Sequence, residues 1–350
     1  MRIVKSSPHV HDTLSTDKAM LYVIAALMPS CLWGIIIFGW HAAVTVAVSV
    51  GSAVLTEYLL GLISKENTLS DYSAIVTGLL VGMNMPPAVP FLIPVLASAF
   101  AIGVVKWTFG GLGCNWMNPA LAGRVFVFFS FSKQMGQFML PWTLGVDAVS
   151  SATPLSQMKT GLSAGLSGTS ADLISSPVSA FAEKAADALH ISPYAVDAFF
   201  GNTAGCIGEV SALLLIAGGI FLICMHIISW RIPAVYIGVF AVLAWAFGGI
   251  PYGLGAFHGE ILVPVFSGGL MLGAFFMATD WVTTPTTAKG EVIFAIGCAL
   301  LTFLIRYFGA LPEGVSLAII LMNIVTPTID RYVRPKKFGF VKAPKNKEAK

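Results

Sequence analysis

The sequence predicts an all-α integral membrane protein with about ten transmembrane helices, arranged as two inverted five-helix repeats with broken helices. Three observations support this fold class: the composition, a series of apolar stretches and a short internal similarity. Of 350 residues, 56% are hydrophobic and 11% are charged, whereas about 25% are charged in soluble domains. The 35 Gly and 19 Pro agree with a membrane bundle, whose helices tolerate both residues.

Ten apolar stretches are the candidate membrane spans. They cover residues 20–38, 42–63, 73–87, 88–106, 118–132, 208–229, 232–250, 261–279, 291–309 and 314–329. Several are shorter than the roughly 20 residues that a straight crossing needs. The third ends in Asn84-Met-Pro-Pro87, and the fifth opens with Asn118-Pro119. Breaks free backbone groups that lipid cannot satisfy, so we expect them to line a site inside the bundle.

Basic residues predict the orientation of the spans. If the N-terminus is cytoplasmic, sixteen Lys and Arg fall at or near the inner face and four fall outside, as the positive-inside rule requires. The inner set is Arg2, Lys5, Lys18, Lys65, Lys106, Arg124, Arg231, Lys289, Arg331, Arg334, Lys336, Lys337, Lys342, Lys345, Lys347 and Lys350. The outer set is Lys133, Lys159, Lys184 and Arg306. With ten spans, both termini are expected in the cytoplasm.

These features divide the chain into five segments. Residues 1–19 are a cytoplasmic N-terminal segment, 20–132 the first membrane repeat and 133–206 an extracytoplasmic loop. Residues 207–330 are the second membrane repeat, and 331–350 are a basic cytoplasmic tail. We interpret the tail as a topology determinant and not as a nucleic-acid site, because it directly follows a span.

An internal similarity suggests the two repeats. The run Gly78-Leu-Leu-Val-Gly82 in the third span resembles Gly269-Leu-Met-Leu-Gly273 in the eighth, and Pro119 resembles Pro312. Each unit has five spans, an odd number, so the second unit enters the membrane from the opposite face. The interrupted helices are then expected to meet near the pseudo-two-fold axis. Chance similarity of two Gly-Leu runs is the alternative.

Signatures of common soluble enzymes are absent from the sequence. It has no Walker A, HExxH, GxSxG or Rossmann GxGxxG sequence, and its six His are too dispersed for a metal cluster. Its five Cys have no CxxC spacing and are interpreted as small apolar residues in helices. Electron or ion transfer would therefore need an added cofactor or partner subunits.

The most informative stretch is Asp147-Ala-Val-Ser-Ser-Ala-Thr-Pro-Leu155, in the outer loop. It resembles the acceptor sequence for covalent FMN, an Asp followed six residues later by a Thr in a Ser/Gly-Ala-Thr triplet. The resemblance implies that a flavin transferase joins the FMN phosphate to the Thr153 hydroxyl as a phosphoester, with Asp147 and Ser151 as motif residues. Small neighbours are expected to leave this hydroxyl accessible.

A Ser/Thr-rich turn is the alternative interpretation of this stretch, because triplets of this kind are common. The acceptor pattern often has Gly where this chain has Ala148 and Ser151. The predicted topology favours the acceptor, since it places Thr153 on the side of the membrane where the transferase works.

Further motifs give a more specific resemblance. They are Ser7-Pro-His9, Gly110-Gly-Leu-Gly113 with Asn118-Pro-Ala120, Thr153-Pro-Leu155, Met277-Ala-Thr-Asp280 with Thr283-Thr-Pro-Thr-Thr287, and Arg306-Tyr-Phe-Gly309 with Pro312-Glu-Gly-Val315. Over essentially its whole length the chain resembles the family that contains the D subunit of the Rnf electron-transport complex and the B subunit of the sodium-pumping NADH:quinone reductase. The lack of a long N-terminal extension favours the Rnf branch.

The resemblance implies a membrane subunit of an ion-translocating (Na⁺ or H⁺) ferredoxin:NAD oxidoreductase, a translocase subunit that is not active alone. It implies covalent FMN and a second, noncovalent riboflavin. The expected partners are Rnf subunits A, B, C, E and G, the flavin transferase and lipid of the bacterial or archaeal inner (cytoplasmic) membrane. The alternatives are a redox-silent channel or small-solute transporter, which the same repeats would also suit, and a scaffold for redox partners.

Two acidic residues are candidates for the ion path. Glu57 lies within the second span, where a carboxylate is costly unless paired or hydrated, and a hydrogen-bonded structural role is the alternative. Asp280 follows the eighth span beside five Thr residues, an oxygen-rich break of the kind that can coordinate a hard cation. Helix capping by these Thr residues explains part of that pattern equally well.

Overall fold

The computed structural model describes residues 15–65, 68–142, 150–164 and 168–334. These residues are mostly helical. Their strands are β1 (Phe138–Met139) and β2 (Ser150–Ser151), which pair antiparallel. The predicted all-α class is therefore confirmed for the described chain. Asp147, most of the predicted N-terminal segment and the tail from residue 335 lie outside the described residues.

The first half of the chain contributes five apolar helices. They are α1 (Thr16–Phe38), α2 (Trp40–Ser64), α3 (Ser73–Met83), α4 (Leu92–Phe100) and α5 (Pro119–Ser130). A π-helical segment, Ala101–Trp107, continues α4. Between α1 and α2, Gly39 has a φ of 76°, a conformation that costs glycine little because it has no Cβ.

Short helices fill the segment between the two halves. They are α6 (Ser132–Met135), α7 (Pro154–Ser163), α8 (Ser170–Leu173), α9 (Ala180–Leu189) and α10 (Pro193–Phe200). Proline is the first residue of both α7 and α10, where its fixed φ suits a helix start. The predicted outer loop therefore contains regular structure in its described part.

The second half again starts with two helices and then breaks. Its helices are α11 (Ala212–Cys224), α12 (Arg231–Phe247), α13 (Leu262–Phe266), α14 (Leu270–Leu272), α15 (Ala288–Tyr307) and α16 (Val315–Tyr332). A π-helical segment, Gly273–Met277, continues α14. Each of the ten predicted apolar stretches contains helix.

Three of the described helices, α1, α2 and α15, are long and apolar enough to cross a membrane. Shorter apolar helices accompany them: α3, α4 with its π-helical continuation, α5, α11 and α12. At 11 residues, α3 is about 16 Å long, roughly half the thickness of the hydrocarbon core. The chain is thus compatible with a membrane protein that contains partial spans.

The breaks at the ends of α3 and α5 have local causes. Pro86 and Pro87 cannot continue α3, and the Asn84 side chain donates to the carbonyl of Leu80, 2.6 Å away. At the start of α5, the Asn118 side chain accepts from the backbone N–H groups of residues 120 and 121. Asn118 is therefore the N-cap of α5, and Pro119 follows it at the first helical position.

Two helix pairs join the halves, α1 with α11 and α5 with α16. Within the halves, α2 packs on α3 and α4, and α12 packs on α15. Close approach depends on small residues. Gly218 in α11 lies against the backbone of Ala26 in α1, and a Cβ on Gly123 of α5 would lie 2.5 Å from the carbonyl oxygen of Ala97 in α4.

Candidate functional site

Three chain breaks meet inside the bundle. The backbone N–H of Gly208 donates to the carbonyl of Met83 over 2.8 Å, and that of Ile207 donates to Met85 over 3.1 Å. The loop before α11 is therefore held against the end of α3. The third break separates α13 from α14 at Gly268 and Gly269, whose φ values are 67° and 69°. Glu209, in the loop before α11, lies against this third break and so places it beside the other two.

Arg124 of α5 is buried where these breaks meet, with 7% of its surface exposed. Its Nη1 donates to Asn84 Oδ1 at 2.8 Å and to Ser316 Oγ at 3.1 Å. Its Nη2 donates to Glu313 Oε2 at 2.7 Å and lies 3.7 Å from Cys206 Sγ. One guanidinium thus links α5 to the ends of α3 and α16 and to the loops before α11 and α16.

Two glutamates complete this polar cluster. Glu209 is buried, and its Oε1 accepts from the backbone N–H of Cys206 at 2.9 Å. Its Oε2 faces the third break, because a Cβ on Gly269 would lie 2.5 Å from that oxygen. Glu209 Oε2 and Glu313 Oε1 are both buried and have no hydrogen-bond partner among the described residues. Ligand atoms of Cys206, Glu209 and Glu313 lie within 4.8 Å of one another.

Burial has an electrostatic consequence for Glu313, which lies in the loop between α15 and α16. Burial raises the pKa of its carboxyl, and Glu209 raises it further. The Arg124 guanidinium opposes that rise. The pKa of the Glu313 carboxyl is therefore higher than that of an exposed glutamate.

Arg306 of α15 forms the edge of the cluster next to the third break. Its guanidinium donates to the carbonyls of Pro264, Ser267 and Gly268 over 2.6 to 3.2 Å. It also lies over the ring of Phe240, 5.2 Å from the ring centroid. Arg306 therefore satisfies carbonyl groups that the break leaves free, as a break inside a membrane bundle requires.

Thr153 is the N-cap residue of α7. Its Oγ accepts from the backbone N–H of Ser156 at 3.2 Å and donates to the Ser156 hydroxyl at 2.9 Å. The residue is 3% exposed, so the expectation of an accessible hydroxyl is wrong for this arrangement. Capping explains the burial, because the hydroxyl satisfies an amide at the helix start.

The helix that Thr153 begins lies over the polar cluster. A Cβ on Gly268 would lie 2.5 Å from the Leu155 side chain. Lys159 Nζ donates to the carbonyls of Arg306 and Leu311 at 3.0 and 2.7 Å. Ser151 contributes backbone to β2.

Glu57 is fully buried in α2. Lys106 Nζ donates to its two carboxylate oxygens at 2.6 and 2.7 Å, and the Thr68 hydroxyl donates to Oε1 at 2.8 Å. Lys106 also donates to the Ser73 hydroxyl. This closed ion pair accounts for a carboxylate within the bundle and favours the structural alternative, while an ion-path role for Glu57 stays a prediction.

Asp280 lies just after the π-helical segment of α14. Its carboxylate accepts from the Thr283 hydroxyl at 3.1 Å and from Asn115 Nδ2 at 3.5 Å. Burial raises the pKa of this carboxyl, and these hydrogen bonds oppose the rise. The Thr287 side chain caps α15 by accepting from Gly290 N–H, so the predicted capping role holds for one residue of the Thr-rich stretch.

Asp280 also lines a cavity of about 300 Å³. Its walls come from α1, α3, the start of α5, the end of α11 and the π-helical segment after α14. Most of the lining is apolar, including Leu80, Phe275 and Phe276, while Asn115 and Lys106 supply polar atoms. A cavity of this size, with few polar groups in an apolar wall, is typical of sites for small organic ligands.

Sequence reasoning missed the polar cluster. Lys106, Arg124 and Arg306 were counted as residues near the membrane surfaces, yet each is buried in a specific contact. Glu209 lies at the very start of the sixth apolar stretch and Glu313 between the ninth and tenth, and acidic residues are ordinary at such edges. The usable signal was the position of Arg124 in the middle of an apolar helix, since intramembrane charges face partners inside a bundle.

Buried ion pairs, short apolar helices and chain breaks define the class: a multi-helix membrane protein with broken helices around an internal polar site. The sequence profile described as the NQR2, RnfD, RnfE family matches residues 3–339. The chain belongs to this family.

Relatives match over nearly the whole chain. It is 41% identical to the D subunit of the Na⁺-translocating ferredoxin:NAD⁺ oxidoreductase complex of Acetobacterium woodii, over 99% of this chain and 98% of the relative. It is 42% identical to the D subunit of the proton-translocating ferredoxin:NAD⁺ oxidoreductase complex of Clostridium ljungdahlii, over 96% of each chain. It is 38% identical to the D subunit of the ion-translocating oxidoreductase complex of Stutzerimonas stutzeri, over 93% of this chain and 92% of that one.

Proposed function

We propose that this chain is the membrane subunit of an ion-translocating ferredoxin:NAD oxidoreductase complex and relays electrons through FMN bound covalently to Thr153. The observation that carries the proposal is the end-to-end similarity to proteins named as the D subunits of such complexes. Rnf subunits A, B, C, E and G and a flavin transferase are the partners of this proposal. The complex lies in the inner membrane with both termini of this chain in the cytoplasm.

The position of Thr153 supports the flavin attachment. As N-cap of the ten-residue α7, its hydroxyl lies at the positive end of a helix dipole. A phosphoester on this oxygen would carry negative charge at a helix N-terminus, which is a favourable place for phosphate. The bound flavin would accept and donate single electrons there. Asp147 and Ser151 remain motif residues for recognition by the transferase.

The 300 Å³ cavity supports a second, noncovalent flavin. Its apolar walls suit the ring system of riboflavin, and Asn115 and Asp280 offer a donor and an acceptor for the polar edge of such a ring. The cavity lies on the side of the bundle that carries the Glu57–Lys106 pair, since Lys106 lines it. The outer loop carries the covalent site, so the two flavins would lie towards opposite faces of the membrane.

Paired contacts support the proposed inverted repeat. Lys106, on the fourth helix of its half, binds Glu57 on the second and Ser73 on the third. Arg306 lies in the fourth predicted span of the other half and contacts Phe240 in its second span and Pro264 in its third. The pairs α1–α11 and α5–α16 join corresponding helices.

The excess of basic residues on the inner side remains when three buried cations are left out of the count. Taking Lys106 and Arg124 from the sixteen inner residues, and Arg306 from the four outer ones, leaves fourteen against three. The proposed orientation therefore does not depend on residues that are held inside the bundle.

A redox-silent channel or small-solute transporter is the second candidate, because broken helices around a polar centre also suit solute passage. One experiment separates the two. The chain is produced in cells that contain the flavin transferase, denatured, and examined for flavin fluorescence in a gel. We expect a fluorescent band for wild type and none for Thr153→Ala. A dark wild-type band would overturn the relay and favour the channel.

A further inference from the structure

The helix α9, in the segment between the two halves, has an apolar side that the protein covers only in part. Ala182 and Ala186 are buried and pack on α10. Phe181 and Leu189 lie next to them on the helix surface, yet they are 61% and 64% exposed. The charged residues of α9 lie on the opposite side: Glu183, Lys184 and Asp187. The apolar side of α9 is therefore wider than the part that α10 covers.

Phe200, the last residue of α10, extends this uncovered surface. It is 44% exposed, and the Phe181 ring packs against it edge to face with the ring centroids 5.3 Å apart. Ala185 lies between Phe181 and Leu189 on the same side of α9 and is partly buried. We call Phe181, Ala185, Leu189 and Phe200 together the α9 face. A contiguous exposed apolar surface of this kind marks a contact with another protein or with a membrane.

The position of Phe200 relative to α1 indicates what covers this face. α1 has 23 residues and can cross a membrane, since its length of about 34 Å slightly exceeds the hydrocarbon core of roughly 30 Å. Trp33 lies five residues before the end of α1 at Phe38, about 7.5 Å along the helix axis. A Cβ on Gly201, the residue after Phe200, would lie 2.6 Å from Trp33 Nε1. Phe200 is therefore at a depth where α1 is inside the hydrocarbon core, and an exposed side chain there faces lipid.

Trp142 lies at the same end of the bundle and has the features of an interfacial residue. Its backbone N–H donates to the carbonyl of Ile37 in the last turn of α1, 3.3 Å away. Its ring N–H donates to Asn202 Oδ1 at 2.9 Å, and the residue is 54% exposed. An exposed apolar ring with a bonded N–H is typical of the boundary between membrane and water. The chain just after α10 therefore lies close to that boundary.

We propose that the acyl chains of membrane phospholipids cover the α9 face. All four of its side chains are apolar, so acyl chains satisfy the whole face without a polar partner. A helix with one apolar and one charged side binds at a membrane surface with its apolar side towards the acyl chains and its charges towards water. α9 has this pattern without being long enough to span. The inference depends on the membrane placement of the chain and not on a flavin at Thr153.

A lipid contact at α9 would also fix the height of α7 above the membrane. The Tyr194 hydroxyl of α10 donates to the carbonyl of Ile174 at 2.8 Å. Gln157 of α7 donates to Ser176 Oγ at 2.6 Å. These bonds connect α10 to the segment after α8, and that segment to α7. The helix that begins at Thr153 would therefore be held at a set distance from the lipid.

The test places the photoreactive residue p-benzoylphenylalanine at single positions of the full chain in native membranes. Under ultraviolet light its side chain bonds to C–H groups that it touches, and the digested peptides are then weighed by mass spectrometry. With this residue in place of Phe181, we expect a peptide whose mass increases by that of a phospholipid. A phospholipid adduct at this position supports the contact.

The matched control has the same photoreactive residue in place of Glu183. Glu183 is exposed and lies two residues further along α9, about 3 Å along the axis, but on the charged side. It should give no lipid adduct. Gel filtration in detergent shows for each variant whether it keeps the size of wild type. If the variant at 181 does not, the residue is placed at position 200 instead, because the Phe181 and Phe200 rings are in contact.

Three results would overturn the lipid contact. An adduct between position 181 and a peptide, of this chain or of another subunit, would show that protein covers the face. Equal lipid labelling at positions 181 and 183 would show that α9 has no side directed to lipid. The third result is a folded variant without any adduct at position 181, which would mean that the face is open to water.

Discussion

The Glu57–Lys106 pair and the Arg124 cluster are both buried groups of charges, yet they are built differently. Lys106 donates to both oxygens of Glu57, and Thr68 donates to Oε1 as well, so that carboxylate is fully satisfied. In the cluster, Glu209 and Glu313 each keep one buried oxygen without a partner among the described residues. A closed pair holds helices together, whereas an open one leaves ligand atoms available. Burial of charge alone therefore does not identify a binding site.

The largest loss of stability is expected at the closed Glu57–Lys106 ion pair. Lys106→Met removes the only ammonium that contacts Glu57 in the described chain and leaves a buried carboxylate. We expect a loss of about 3–5 kcal/mol in the free energy of unfolding, measured by denaturant unfolding in detergent. The double variant Glu57→Leu/Lys106→Met should recover most of it. Equal losses in the single and double variants would contradict a structural pair.

A smaller effect is expected at the open cluster. Gly269→Ala places a Cβ where φ is 69° and Glu209 Oε2 lies 2.5 Å away. We expect a loss of about 1–3 kcal/mol in the free energy of unfolding, measured by denaturant unfolding in detergent. Gly51→Ala is the control, because nothing lies within 4 Å of its Cβ and alanine favours a helix interior. Equal free energies of unfolding for Gly269→Ala and Gly51→Ala would contradict the close contact at Gly269.

The smallest effect on stability is expected at the start of α7, and it tests whether Thr153 has two separable roles. Asparagine is a good N-cap but has no hydroxyl for a phosphoester. Thr153→Asn should therefore change the free energy of unfolding by no more than about 0.5 kcal/mol and abolish flavin fluorescence in the gel. Thr153→Ser keeps both features and should retain fluorescence. Fluorescence in Thr153→Asn would place the flavin on another residue.

Local signals predicted much of the helical framework. Asn118-Pro119 and Asn84 with its following prolines identified the helix start and the helix end that the structure has, because capping and proline sterics act within a few residues. The cluster could not be predicted in the same way. Arg124, Glu209 and Glu313 come together only when separate breaks fold into the bundle. The residues next to each of them in the sequence do not indicate this contact. The burial of Thr153 could not be predicted, because its small neighbours in the sequence do not indicate how α7 packs.

The burial of Thr153 bears on when FMN could be attached to the proposed flavoprotein. Thr153 is 3% exposed and its hydroxyl is already engaged with Ser156, so a transferase would not reach it in this arrangement. In the proposed flavoprotein, FMN would therefore be attached during biogenesis, before α7 packs over the bundle, and a subunit that matures without FMN would remain without it.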